Sequence, residues 1–375
     1  MKSEADKGSF TGGSYASTCR LGLVKERQNQ QQPMIFRLIM IERFRAYSLR
    51  KSAMRSGKAQ RWNKAIERYE ALVKTGVVRP SDGVRHAQAL EAVGLIDAAA
   101  QVHRDNVGRF PLEPNVHRQT GLFLLRQHRE AEAALSLAKA LVLAPTDDVL
   151  KADIDRVGIA DDRVGAVALA AFYASPAPQP PRPGPLKRFF ARRAAARAKM
   201  LRQSGDWTKA LAAQRTILTN NPGNASAQTR LGHVLKELGD VKNAETAYWK
   251  GVALAPKHAD SYLQLGHGLK LAHGPKAALP AYLLAQRLQP SHAEAGEGVK
   301  QGGLSDHDAT RFSDLLATAD LEAILGFTET SRSPETHPPE NRKVVPVFRR
   351  PRPRAIDVRA AAIAGDIART VGVNL

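Results

Sequence analysis

The chain has 375 residues, 43% of them hydrophobic, with 56 Lys and Arg against 36 Asp and Glu, a net charge of +20. Its one cysteine, Cys19, excludes an intramolecular disulfide framework and any multi-cysteine zinc site. No run approaches the roughly 18 apolar residues that a bilayer span needs. The opening MKSEADKGSFTGGSYASTCR carries acids and no apolar core of signal-peptide length, so the expectation is a cytoplasmic protein.

Residues 1–33, ending in NQQQP, read as a disordered segment, with Met34 a candidate start. Residues 34–64 then carry nine Lys and Arg against Glu42 alone. Within them MIFRLIMIERFRAYSLRK reads as an amphipathic helix, which can cap a helical array or lie on an anionic membrane with its basic groups at the headgroups; the cap is the reading adopted.

A beat of 34 residues follows: Ala65, Ala99 and Ala133, then Ala210, Ala244 and Ala278. Twelve residues before each stand Ala53, Ala87, Gly121, Ala198, Gly232 and Gly266; twelve after five of them stand Pro111, Pro145, Pro222, Pro256 and Pro290. A fixed period of this size marks a stacked repeat protein. Such a length holds two helices of about a dozen residues and two tight turns. Small side chains on both helices let them approach, and proline ends the second. Gly94, Gly205 and Gly239 sit where a helix C-terminus calls for a left-handed residue, a position that His128 and His273 break.

Between the two triplets of alanines the beat fails. Residues 146–173 read as two short helices, with Val149, Ile154 and Val157, then Val164, Val167, Leu169 and Phe172, as apolar faces. ASPAPQPPRPGP (174–185) is a proline-rich, extended spacer expected to break the array into two independently oriented halves. A second basic island, Lys187 to Arg202, has seven Lys and Arg and no acid; a third, NRKVVPVFRRPRPR at 341–354, has six. After Pro290, SHAEAGEGVKQGG predicts a short capping helix closed by Gly302-Gly303, 304–326 predicts one or two amphipathic helices, and 355–375 a final one.

The best copies, ASAQTRLGHVLKELGDVKNAETAYWKGVALAP and ADSYLQLGHGLKLAHGPKAALPAYLLAQRLQP, resemble the tetratricopeptide repeat. Leu231-Gly232 and Leu265-Gly266 match its Leu-Gly pair; Tyr248 and Tyr282 fill its aromatic slot, which Leu137 takes in an earlier copy. The earliest copy reaches a proline only at Pro80, three residues late. The resemblance covers a little over half the chain and implies an all-α solenoid of helix-turn-helix repeats in two arrays with a proline-rich spacer. The expected organisation is a disordered segment (1–33), a capping helix and first array (34–157), a degenerate helix with the linker (158–186), a second array with its cap (187–303), and a partly helical, Arg/Pro-rich tail (304–375).

In that family the first helix of each repeat lines a concave groove. One position after the small residue stand Lys199, His233 and His267; three further on stand Arg202, Lys236 and Lys270. Both series keep the 34-residue spacing and predict two ladders of basic or protonatable groups, their rungs about 10 Å apart. Such a surface favours an acidic protein or peptide segment, a C-terminal carboxylate or a phosphorylated peptide. Arg192, Ser226 and Asp260 do not continue the basic trend, a departure from the carboxylate-clamp subset of the family.

Phosphate-loop, His-Glu-x2-His and nucleophile-elbow motifs are absent from the sequence, and no metal site, cofactor or catalytic residue is expected. The function expected is that of a non-catalytic scaffold. An alternative comes from the resemblance of LGHVLKELGD and LQLGHGLKLAHG to repeats ahead of bacterial glycosyltransferase domains, which implies an accessory or truncated relative in surface-polysaccharide synthesis. A third reading makes the basic islands a contact for nucleic acid or an anionic membrane surface.

Overall fold

The computed structural model describes residues 40–327; the expectations for 1–33, for the third basic island and for 355–375 lie outside them. Among the described residues all regular structure is helical. After α1 (40–58) come α2 (Trp62–Lys74), α3 (Pro80–Ala92), α4 (Ile96–Arg109), α5 (Pro114–Arg126) and α6 (Glu130–Leu143). Then follow α7 (Asp148–Arg156), α8 (Asp161–Ala174), α9 (Pro185–Gln203), α10 (Trp207–Asn220), α11 (Ala225–Glu237) and α12 (Val241–Leu254). The last are α13 (Ala259–His273), α14 (Pro275–Leu288), α15 (Ala293–Gln301), α16 (Asp306–Thr318) and α17 (Leu321–Leu325).

The beat coincides with helix pairing. All six alanines lie on second helices at no more than 2% exposure, and Ala53, Ala87 and Ala198 on first helices are fully buried. The five prolines stand two residues past α4, α6, α10, α12 and α14, where a ring without an N–H removes nothing from the last turn. Pro80 is not a late stop: it opens α3. The left-handed position is kept even where glycine is missing. Gly94, Gly205, Gly239 and Gly274 have φ of 79°, 73°, 79° and 90°, and Gln60 (53°) and His128 (57°) adopt it at a cost.

Of the described residues, 40–82 form one compact unit and 83–327 another. In the first, α1 packs through small and charged residues: Ala46 and Ala53 are fully buried, and Arg50 Nε donates to Asp82 Oδ1 and Oδ2 at 2.8 and 2.9 Å. This packing does not use the most apolar positions of α1. Four large apolar residues of α1, Met40, Ile41, Phe44 and Tyr47, are at least half exposed, while Leu49 and Met54 are partly buried, because the packed arc is the one holding Ala46, Arg50 and Ala53.

In the second unit the prolines do not divide the array. Helix α8 is apolar nearly all round, as a helix buried on every side must be, and packs against α6, α14, α16 and α17. Phe172 of α8 meets Trp249 of α12 with ring centroids 6.4 Å apart, and one apolar core joins residues from Ala134 to Phe327. Ala191 and Ala198 of α9, Ala213 and Ile217 of α10 and Ala227 of α11 form a smaller cluster of their own. The spacer is itself held, Gln179 N–H donating to Gly108 O at 2.8 Å. On α7 the sequence pattern misplaces one residue: Leu150 and Ile154 are buried, while Val149 faces outward. Helix α15 closes at Gly302-Gly303 as expected, and α16 and α17 return the chain to α8, where Phe312 stacks on Phe327 at 4.3 Å.

Candidate functional site

The second-helix side of the late pairs is occupied, since α12 packs on α6, and α14 on α8 and α16. What stays open is the side carried by the first helices α9, α11, α13 and α15. Their polar side chains reach from one helix to the next. His233 on α11 feels the charges of Arg202 on α9 and Asp260 on α13; His267 Nε2 on α13 lies 3.5 Å from Glu294 Oε2 on α15; and Lys270 Nζ donates to Gln301 Oε1 at 2.5 Å.

Glycines build this face. A methyl at Gly232 would stand 2.5 Å from Tyr248 Cε1, and one at Gly268, on the next first helix, 2.7 Å from Tyr248 Cδ2. Tyr282 is held the same way, with 2.6 Å from a methyl at Gly266 and 2.6 Å from one at Gly298. Each tyrosine, only 1% exposed, passes between two helices that lack side chains at the crossing. The small residue therefore makes room chiefly for the ring and not for the in-register alanine of its partner helix.

Each phenol ends at a histidine. Tyr248 Oη is 3.4 Å from His233 Nδ1 and Tyr282 Oη is 3.0 Å from His267 Nδ1, the rings edge to face. Burial raises both phenol pKa values, so the O–H stays on and donates; Nδ1 is then the acceptor and Nε2 carries the hydrogen. At His267 that hydrogen points toward Glu294.

Of the six expected site residues, Arg202, His233, Lys236, His267 and Lys270 lie within reach of one another's charges and Lys199 is exposed on α9, but they are not equivalent rungs. Burial, reinforced by Lys236, lowers the His233 pKa against the pull of Asp260; burial lowers that of His267 against its bond to Glu294. Both imidazoles are thus shifted toward the neutral form and add less positive charge to the ladder than their spacing implies. Lys236 Nζ lies 3.2 Å from Glu237, and Lys270 is engaged by Gln301. Lys199 and Arg202 have no carboxylate partner among the described residues, and burial followed by the charge of Arg230 lowers the Arg202 pKa.

The sequence reading missed Arg230, the tyrosine–histidine pairs as polar elements of the face, and its acidic end. The last was within reach: Arg192, Ser226 and Asp260 keep the 34-residue beat, and its next member is Glu294. Along that row the residues change from cation to neutral to anion. Among the described residues no group of three or more His, Cys, Asp or Glu is placed to hold a metal ion, and no helix is long and apolar enough to cross a membrane.

No protein-family description matches the chain, and no curated protein matches it. Solved structures do. The TPR2AB domain of yeast Sti1, in its complex with pHSP90, is 16% identical over 73% of this chain and 97% of that one, with a TM-score of 0.28. YrrB, a TPR protein with an unusual peptide-binding site, is 15% identical over 62% and 97%, with a TM-score of 0.26. TTC0263, a thermophilic TPR protein of Thermus thermophilus, is 16% identical over 60% and 98%, with a TM-score of 0.25. These neighbours are tetratricopeptide-repeat proteins, and this chain has the same all-α repeat architecture, which is evident in its own register rather than in such loose superpositions.

Proposed function

We propose that the chain is a non-catalytic interaction scaffold that holds an extended protein segment along the α9–α11–α13–α15 face, with the segment's acidic end at α9 and α11. The observation that carries this is the uneven charge of the face. Lys199, Arg202 and Arg230 have no carboxylate partner among the described residues at the α9–α11 end, where Arg202 and Arg230 lie close enough to feel each other's charge. Asp260, Glu294 and Glu297 hold the other end together with Lys270. A carboxylate or phosphate arriving beside Arg202 and Arg230 relieves a like-charge contact as well as forming charge-assisted hydrogen bonds. The Nε2–H of His233 offers a donor between the two ends.

The test is affinity capture with the full chain as bait, beside a Lys199→Glu/Arg202→Glu/Arg230→Glu variant. The expected result is one set of proteins, each with an acidic segment, retained by the native chain and lost with the variant at equal folded content. Retention of the same proteins by both baits would remove this face from consideration.

A further inference from the structure

Helix α9 is longer than its repeat requires. The other first helices of the late array that carry the small residue, α11 and α13, have 13 and 15 residues, and α9 has 19. In register with Ala225, where α11 begins, the repeat needs helix only from Ala191, which is also the first buried residue of α9. The six residues before it, Pro185 to Phe190, are all exposed. Leu186, Phe189 and Phe190 stand 68%, 52% and 47% exposed, so they contribute little packing to the fold.

These apolar side chains stand among cations. Lys187, Arg188, Arg192 and Arg193 interleave with them, and the Arg193 guanidinium carbon is 5.9 Å from the Phe189 ring centroid. From Arg163 to Gly205 the sequence has no Asp or Glu. A polyanion alone, such as RNA, would neutralise the cations and leave Leu186 and the two rings in water. An anionic bilayer takes both, with phosphates outside for Lys and Arg and hydrocarbon just beneath for the rings.

We infer that the N-terminal two turns of α9 form a docking tip for anionic lipid surfaces, with Leu186, Phe189 and Phe190 entering the headgroup boundary and Lys187, Arg188, Arg192 and Arg193 on the phosphates. The tip is separate from the Lys199–Arg202 end of the same helix. The scaffold would thereby be held at a membrane surface reversibly, since so small an apolar area gives a weak anchor.

The test uses the full chain with vesicles of phosphatidylcholine alone and of phosphatidylcholine mixed with phosphatidylglycerol. The native protein is expected to co-sediment with the mixed vesicles only, in a salt-dependent manner. Phe189→Ser/Phe190→Ser is expected to lower the partition coefficient about tenfold or more with an unchanged circular dichroism spectrum. With Cys19→Ser, which leaves no other cysteine, Phe189→Cys carries an environment-sensitive fluorophore whose emission shifts to the blue on the mixed vesicles. Absence of co-sedimentation overturns the inference. So does binding that the double serine variant keeps, including binding lost only in Ile41→Ser/Phe44→Ser, which would assign the contact to α1. Binding of polyuridylate as tight as that of vesicles, with no shift of the fluorophore on either, reduces the tip to a charged patch and overturns it too.

Discussion

Helices α4–α6 and α11–α15 keep the same 34-residue beat, yet they use the slot between helices in opposite ways. In the earlier region the slot is plugged from inside: Leu137, fully buried, lies against Gly121, where a methyl would meet its Cγ at 2.8 Å. Two histidines of that region, His103 and His117, are buried and serve packing, His103 tilted against Phe123 at 4.8 Å and His117 with Nε2 2.9 Å from Pro111 O. In the later region glycines on two successive helices let a tyrosine through to a histidine on the open face. The period positions helices; the side chain in the slot decides whether a repeat carries only core or also a polar face.

The comparison can be broken from either side. The largest effect expected is on the earlier histidines. Burial, then the charge of Arg126, lowers His103 to about 4; burial, then the charge of Lys139, lowers His117 to about 3. In the unfolded chain both take up protons near pH 6.5, so the unfolded state binds more protons below that value and stability falls with pH through the window from 6.5 toward 4. The loss is expected to be about 3 kcal/mol or more at pH 4, read from urea midpoints along a pH series. A flat profile would contradict the burial of these rings.

Next comes the glycine pair. Gly232→Ala or Gly266→Ala places a methyl inside the tyrosine ring and is expected to cost about 2 kcal/mol. Gly108→Ala, in α4 with no atom in the way, is the control and should stabilise by about 0.5–1 kcal/mol. Tyr248→Phe keeps the plug and removes only the bond to His233, for about 1 kcal/mol. Smallest is His128→Gly, which relieves a left-handed histidine and should raise stability by about 0.5–1 kcal/mol, visible as a higher melting temperature.

The fold was legible because repetition amplifies weak signals: one buried Ala65 means little, but six in register mean a stack. The fold-back of α12 and α14 onto α6 and α8 was not, because it depends on contacts with no period. The all-round apolar composition of α8 was its one trace, and the prolines beside it suggested a break instead. At the site the cations were legible as a register and their true charge was not. The downward pKa shift of His233 and His267 comes first from burial, which their spacing does not report. Gly298 was equally hidden, standing four residues short of where the beat from Gly268 would put it.

The most direct test of the account is a selection of random displayed peptides on the full chain, repeated on Arg202→Glu/Arg230→Glu. The account predicts enriched peptides with acidic residues clustered at one end, all of them lost on the variant. Enrichment with no acidic bias, or the same peptides recovered on the variant, would contradict a polar groove anchored at α9 and α11.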